Sequence, residues 1–154
     1  MLDRLLGLSD PDLTAHFKEE GITTTLFASA WFITIFTNTL KQNCQDGVVN
    51  ESLLQVWDQF LFGGWQAAIK ISAYIIISHK HLLLKLPFED ILPLMPDCAK
   101  AVLQQERSDL LYGLIKKEFK GLKFSFFISK LSAEFEESHK EVKLQPLKKA
   151  GQKK

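Results

Sequence analysis

The acid, base and metal-binding side chains of this chain are not grouped at spacings that favour joint chemistry. His79 and His81 are separated by one residue, so on a helix they point roughly 200° apart and are poor joint ligands for one metal ion. Asp58 has no second carboxylate at a spacing typical of general acid–base catalysis. Adjacent Glu89 and Asp90 fit the acidic start of a helix better than a catalytic pair. The pattern therefore predicts no catalytic, metal-binding or cofactor-binding residue.

The remaining reactive side chains stand alone. No second catalytic or metal-binding residue lies near His16 or His139 in the sequence. No glycine-rich loop suits a phosphate group. The two cysteines, Cys44 and Cys98, are far apart and not in a metal-ligand spacing. The first ten residues are too short in their apolar part, and too charged, for a signal peptide. We therefore expect free thiols and a cytoplasmic protein.

The composition is typical of a soluble globular protein, and the chain is long enough for one domain with a core. It has 154 residues, of which 46% are hydrophobic and 24% charged. Nineteen Lys and Arg nearly balance eighteen Asp and Glu, but residues 140–154 hold six lysines against Glu141. The rest of the chain is therefore net negative, which argues against a nucleic-acid partner.

One strongly apolar stretch, residues 22–40, is expected to be the central helix of the protein. Its sequence is ITTTLFASAWFITIFTNTL, and apolar side chains would lie on nearly every side of one helix, as in a helix enclosed by others. A membrane span is the alternative, but the unbroken apolar run is only about a dozen residues against roughly 20 needed. We predict a buried helix and no transmembrane segment.

Capping residues and helical spacing predict further helices around it. Asp10 and Pro11 predict a helix start, and Gly21 its end. Apolar residues at helical spacing predict a helix after Asn50 that ends at Gly63 and Gly64, and a largely buried helix over residues 65–81. The prolines at 87, 93 and 96 predict a boundary region of short turns and breaks. Beyond it we expect two amphipathic helices, split near Gly121, whose apolar stripes need a partner surface.

These elements predict an all-α protein of about six to eight helices in an irregular array. The expected regions are a helical region over residues 1–95, an amphipathic helical extension over 96–139 and a basic disordered tail over 140–154.

Four features, in order along the chain, resemble one known family. They are Asp10-Pro11-Asp12-Leu13 followed by His16-Phe17; Trp31-Phe32 leading to Phe36; Val56-Trp57-Asp58 followed by Phe60-Leu61; and Gly63-Gly64 before a long apolar helix. Residues 5–95 in this way resemble the C-terminal half of a TBC domain, the all-helical module of Rab GTPase-activating proteins. The family-matching residues are taken as structural: Trp31, Phe32, Phe36, Trp57, Asp58 and Gly63.

The resemblance implies a small GTPase of the Rab type as partner and a role in membrane traffic. In this family, GTPase activation is attributed to an arginine in an Ile-x-x-Asp-x-x-Arg motif and a glutamine in a Tyr-x-Gln motif. Neither motif occurs in this sequence. Arg4 and Arg107 are the only arginines and lie in other contexts. We therefore expect the chain to be inactive alone, as a fragment or partial copy of a GTPase activator.

The alternative hypothesis is a non-catalytic helical interaction module that binds another protein, for example through residues 96–139. In either case Trp31 and Trp57 are predicted to fill the core, and Asp58 to accept hydrogen bonds from a buried donor.

Overall fold

The structure is a computed structural model, and it describes residues 1–40, 51–105 and most of 113–120. Within this part of the chain every regular element is helical and no strand occurs, so the predicted all-α class is confirmed. The helices are α1 (Leu2–Ser9), α2 (Pro11–Glu19), α3 (Thr25–Thr34), α4 (Thr37–Leu40), α5 (Glu51–Ser78), α6 (Lys80–Leu83) and α7 (Phe88–Gln105). Cys44, the second predicted amphipathic helix and the basic tail lie outside the described residues.

The start of α2 follows from its capping sequence. The side chain of Asp10 accepts a hydrogen bond from the backbone N–H of Leu13 at 3.1 Å, and Pro11 occupies the first helical turn. Asp10 thereby satisfies one of the N–H groups that a helix N-terminus leaves without a partner, and Pro11 has no N–H that would need one. The chain turns at Gly21, whose φ of 70° is readily available only to glycine. The predicted helix from residue 11 to about 20 is confirmed.

The predicted single helix over residues 22–40 is wrong, because the chain breaks in its middle. Ile35 and Phe36 adopt left-handed φ values of 44° and 60°, and these two residues separate α3 from α4. Such a conformation is costly for a β-branched side chain. Burial compensates: both side chains enter the core, and the Phe36 ring stacks on Trp31 with centroids 5.4 Å apart.

The same stretch is also not enclosed on all sides. Trp31, Phe27 and Ala28 are buried, whereas Leu26, Ala30 and Ile33 face outward, and Ile33 is 82% exposed. The buried side of α3 belongs to a row of aromatic rings that runs from Phe17 through Phe27 to Trp31, with centroid separations of 6.3 and 5.3 Å. α3 is thus a core helix on one face only.

α5 consists of two helical segments that meet at Gly64. The backbone of Gly64 has φ 56° and ψ −148°, outside the helical region, so the axis changes direction there. The predicted break at this glycine pair is confirmed. The segment after the break is largely buried, as predicted; its core side chains are Ala68, Ile69, Ile71, Ser72, Ala73, Ile75 and Ile76.

α5 is also long and apolar enough, by length and composition, to cross a membrane. Its most apolar window has a mean hydropathy of 1.4 and is 39% buried within the fold. Because of the break at Gly64, neither straight segment reaches the roughly 20 residues that a span requires.

α7 corrects the prediction of short turns and breaks around the prolines. It continues as one helix through Pro93 and Pro96. Both prolines are exposed, so the carbonyl groups that lose their N–H partners can be hydrated, which lowers the cost of proline in a helix. The opposite side of α7 carries the buried residues Ile91, Met95, Cys98, Ala99, Val102 and Leu103.

The apolar stripe of α7 is therefore covered by other helices of the same chain. α7 makes its most extensive packing against α5 and further contacts with α4 and α3. For the described part of the 96–139 region, the expectation of an apolar stripe in need of a separate partner surface is wrong.

Candidate functional site

Two of the four histidines, His16 and His79, form hydrogen bonds with backbone carbonyl groups. The Nδ1 atom of His79 lies 2.9 Å from the carbonyl oxygen of Ile75, and the Nε2 atom of His16 lies 3.1 Å from that of Leu86. In both cases the ring N–H is the donor, since a carbonyl can only accept. His81 is exposed. Among the described residues no group of three or more His, Cys, Asp or Glu could hold a metal ion.

A polar cluster ties α2 to the segment around α6. The Lys80 ammonium lies 2.8 Å from the Asp10 carboxylate and 3.2 Å from the Asp12 carboxylate. At the other end of α2, the Glu20 carboxylate accepts the backbone N–H of Phe88 at 2.9 Å. Together with the contact of His16, these bonds fix the approach of α7 to the first two helices.

The electrostatics of this cluster agree with a structural role. Burial raises the pKa of the Asp10 carboxyl, but the hydrogen bonds from Lys80 and from the Leu13 N–H together outweigh burial, so its pKa lies below the ordinary value. The hydrogen bond to Asp10 raises the pKa of Lys80. Because the folded pKa of Asp10 is depressed, its stabilising effect is present above the unfolded pKa and is lost as the pH falls through the folded one. Both groups remain charged near neutral pH.

Cys98 is a free thiol buried in α7, as expected. Burial, and to a lesser degree the charge of Asp97, raises the pKa of this thiol to about 11. A thiol with so little thiolate at neutral pH is a poor nucleophile.

The family-matching residues separate into a buried group and a surface group. Trp31 and Phe36 are fully buried and stacked. Phe32 is half-buried, and its ring lies 6.3 Å from that of Trp65, edge to face. Trp31 and Phe36 therefore form the core that the sequence predicted.

Trp57 and Asp58 belong to the surface group, and the prediction that they serve the core is wrong. Trp57 is 38% exposed, and its indole N–H donates to the Thr37 hydroxyl at 3.3 Å. Asp58 is exposed, so it does not serve a buried donor. On the first segment of α5 the inward side is taken by Leu53 and Val56, which leaves these two residues on the outward side.

Position 63 requires glycine because the space beside it is too small for a larger side chain. A methyl group placed on Gly63 would lie 2.9 Å from the Cβ of Ala67, closer than such atoms approach one another. The glycine therefore lets the chain fold closely around the break at Gly64.

Sequence reasoning missed an aromatic cluster at the surface. The ring of Phe60 lies 6.3 Å from that of Trp57 and 5.3 Å from that of Trp65, both edge to face, and Phe32 extends the cluster to α3. The signal that could have found it is the concentration of aromatic residues on both sides of the glycine pair, with Trp57 and Phe60 before it and Trp65 directly after it.

The fold and these sites define a class: an all-α module whose described polar groups connect helices. A model of the Rab-GTPase-TBC domain family matches residues 1–84. The chain therefore belongs to the Rab-GTPase-TBC domain family, as the resemblance indicated.

Curated relatives agree with this assignment. The chain is 32% identical over 91 residues to the Ecotropic viral integration site 5 ortholog of Drosophila melanogaster, an alignment that covers 59% of this chain and 10% of that protein. It is 27% identical over 95 residues to the GTPase-activating protein GYP5 of Saccharomyces cerevisiae, covering 62% of this chain and 10% of that protein. It is 33% identical over 82 residues to the Rab GTPase-activating protein eat-17 of Caenorhabditis elegans, covering 53% and 8%.

The chain matches about a tenth of the length of these relatives. No solved structure matches it.

Proposed function

We propose that this chain is a non-catalytic part of a Rab GTPase-activating protein and that its partner is a small GTPase of the Rab type. The observation that carries the proposal is the family match over residues 1–84. Two relatives whose names describe GTPase activation support it. The core around Trp31 and Phe36 would then brace catalytic groups supplied by sequence outside these 154 residues.

The proposed lack of activity in the isolated chain follows from the chemistry of GTP hydrolysis. Acceleration depends mainly on an arginine that neutralises charge in the transition state, worth about 10³–10⁵ in rate, and on a group that orients water. The sequence contains neither family motif for these groups. Arg4 lies on α1 in a different context, and Arg107 lies outside the described residues. Bracing helices alone provide neither group.

Residues 1–95 are proposed as the TBC-like region, with 96–139 as an extension and 140–154 as a basic tail. A cytoplasmic location, at membranes where a Rab partner resides, follows from the proposed partner.

Single-turnover hydrolysis with a panel of GTP-loaded Rab proteins and excess purified chain tests the proposal. We expect rates equal to the intrinsic rate of each GTPase. Arg4→Ala and Arg107→Ala are the informative variants, and Lys85→Ala is a matched control because Lys85 is an exposed cation outside both contexts. An acceleration of about a hundredfold or more that disappears in either arginine variant would contradict the proposal.

A second candidate function is a helical interaction module that works without GTPase activation. The exposed apolar face on the first segment of α5 favours it, because such a face commonly marks a protein-binding site. Binding to a GTP-loaded Rab without acceleration would agree with the first candidate. Absence of any Rab binding, together with binding of another protein through α5, would favour the second.

A further inference from the structure

The first segment of α5 has two apolar faces, of which only one is covered. Leu53 and Val56 are buried, whereas the opposite face exposes a row of large apolar side chains. We name this row the α5 stripe; its residues, with exposed fractions, are Leu54 51%, Trp57 38%, Leu61 72%, Phe62 93% and Trp65 55%. By helical spacing, Leu54, Leu61 and Phe62 point away from Leu53 and Val56, and Trp57 lies at the edge of that side. Trp65 begins the second segment, just beyond the break at Gly64.

The stripe is large enough to be a binding surface. The exposed fractions correspond to about 600 Å² of apolar side chain, given the size of aromatic residues. This lies at the upper end of apolar patches on ordinary monomers, roughly 300–600 Å². It also approaches the roughly 800 Å² that one partner buries in a specific complex.

The stripe is partly preorganised. The hydrogen bond from Trp57 to Thr37 and the edge-to-face contact with Phe60 hold one wall in place. Trp65, held against Phe32 and Phe60, closes the end at the Gly64 break. Side chains fixed in this way lose little conformational freedom when a partner binds.

One charged group lies within the stripe. Asp58 is the only charged side chain of residues 52–65; it is exposed and makes no hydrogen bond or ion pair with another described residue. Leu54, Asp58 and Leu61 share the centre of the face by helical spacing within the first segment, the arrangement found at the seam of a helix pair. A partner that covers the stripe must therefore desolvate a carboxylate, which is costly unless it brings an opposite charge.

We propose that the α5 stripe is a docking surface for an amphipathic helix of a partner protein that places a lysine or arginine over Asp58. About two helical turns of the partner match the distance from Leu54 to Phe62 within the first segment. Its apolar residues pack between Trp57, Leu61 and Phe62. The cation pairs with Asp58 and selects this partner over other apolar helices, since a charge at the seam of a helix pair sets specificity.

Other occupants fit the charge less well. A second copy paired antiparallel through the same stripe places its own Asp58 near the first, and like charges at an interface are unfavourable. An anionic membrane meets Asp58 together with Glu51 at the start of the helix, and both repel it.

Two synthetic helical peptides of about 20 residues test the proposal. They carry leucine at the seam positions and are identical except for one central seam residue, lysine in one and glutamate in the other. Binding of each labelled peptide to the full chain is measured by fluorescence anisotropy. We expect the lysine peptide to bind at least about tenfold more tightly. One close charge pair across an interface can supply a factor of ten in Kd.

Three variants make the result specific. Asp58→Lys should reverse the preference, and Asp58→Asn should remove it. Leu61→Gln combined with Phe62→Gln should weaken both peptides by about tenfold or more. Ile33→Gln is the matched control, because Ile33 is equally exposed on α3 but is not part of the stripe, and it should change neither affinity. Circular dichroism confirms that each variant is folded, and the surface position of all four residues makes this the expected result.

Several results would overturn the proposal. Equal affinities for the two peptides, no reversal in Asp58→Lys, or no binding at about 1 mM peptide would each do so. Self-association in analytical ultracentrifugation that Leu61→Gln abolishes would assign the stripe to a second copy. Sedimentation with phosphatidylcholine or phosphatidylserine vesicles, lost in the same variant and without a peptide preference, would assign it to a lipid surface.

Discussion

At the scale of single residues, the two tryptophans of the family-matching features have opposite environments. Trp31 is 2% exposed and lies between the rings of Phe27 and Phe36. Trp57 is 38% exposed, and within the described part of the chain its ring contacts that of Phe60. The same residue type therefore serves the core at one position and the surface at the other.

Trp31→Ala should destabilise the protein far more than Trp57→Ala. We expect about 3–5 kcal/mol for Trp31, because the change removes buried apolar surface and leaves a cavity that rigid neighbours fill only in part. For Trp57 we expect about 1–2 kcal/mol, from partial burial and the hydrogen bond to Thr37. Urea unfolding followed by circular dichroism measures both. Equal losses in the two variants would contradict the different environments.

The surface position of Trp57 could not be predicted from its residue type. Apolar residues at positions 53, 54, 56, 57, 60 and 61 occupy two faces of one helix, and periodicity alone does not say which face meets the core. The contacts of α5 with α1, α3 and α7 decide this. The predicted role of Asp58, acceptance of hydrogen bonds from a buried donor, is wrong for the same reason, since periodicity does not show that Asp58 lies on the exposed side of α5.

At the scale of elements, boundaries that depend on capping chemistry were predictable, and those that depend on packing were not. Asp10 and Pro11 mark the start of α2 in the sequence as they do in the structure. No glycine or proline marks the break at Ile35 and Phe36. Both side chains are buried there, and Phe36 stacks on Trp31, a tertiary effect that outweighs local preference. Pro93 and Pro96 predict breaks that the structure does not have, because the sequence alone does not show that both prolines lie on the exposed side of α7.

Gly64→Ala and Gly7→Ala should change stability in opposite directions. Gly64 has φ 56° and ψ −148°, a conformation nearly restricted to glycine, so alanine there should cost about 1–3 kcal/mol. Gly7 is inside α1, and a methyl group there meets only the Thr14 side chain at 3.9 Å, an ordinary contact. Alanine at Gly7 should stabilise by about 0.5–1 kcal/mol.

Thermal unfolding by calorimetry compares the two variants with the unchanged protein. If Gly64→Ala were as stable as the parent, the break in α5 would not be required by the fold, and a continuous helix would be accessible to this sequence.

At the scale of the whole molecule, α7 secures the helical array. It packs along α5 and contacts α3 and α4, and the bonds from His16 and Glu20 hold the segment that leads into it. An element with contacts to so many others is expected to separate from them only when the whole unit unfolds.

Cys98 provides a direct test of this cooperativity. Its side chain is buried in the face of α7 that packs inward, and burial raises the pKa of its thiol to about 11. Modification by a thiol reagent near pH 8 therefore requires opening that exposes the sulfur and restores its ordinary pKa. The measurement uses a Cys44→Ser background, so that Cys98 is the only cysteine. Gln104→Cys combined with Cys44→Ser and Cys98→Ser provides an exposed control position on the same helix.

We expect slow reaction of Cys98 and fast reaction at position 104. The rate at Cys98 should also rise with urea along the same slope as global unfolding, because in the regime of fast reclosing the rate follows the population of the open state. A fast rate that does not depend on urea would show that α7 leaves the array by local opening. Since α7 covers the buried face of α5, such opening would expose a second apolar surface besides the α5 stripe. The docking experiment would then need to be repeated with Leu103→Gln, which weakens the covered face and leaves the stripe unchanged.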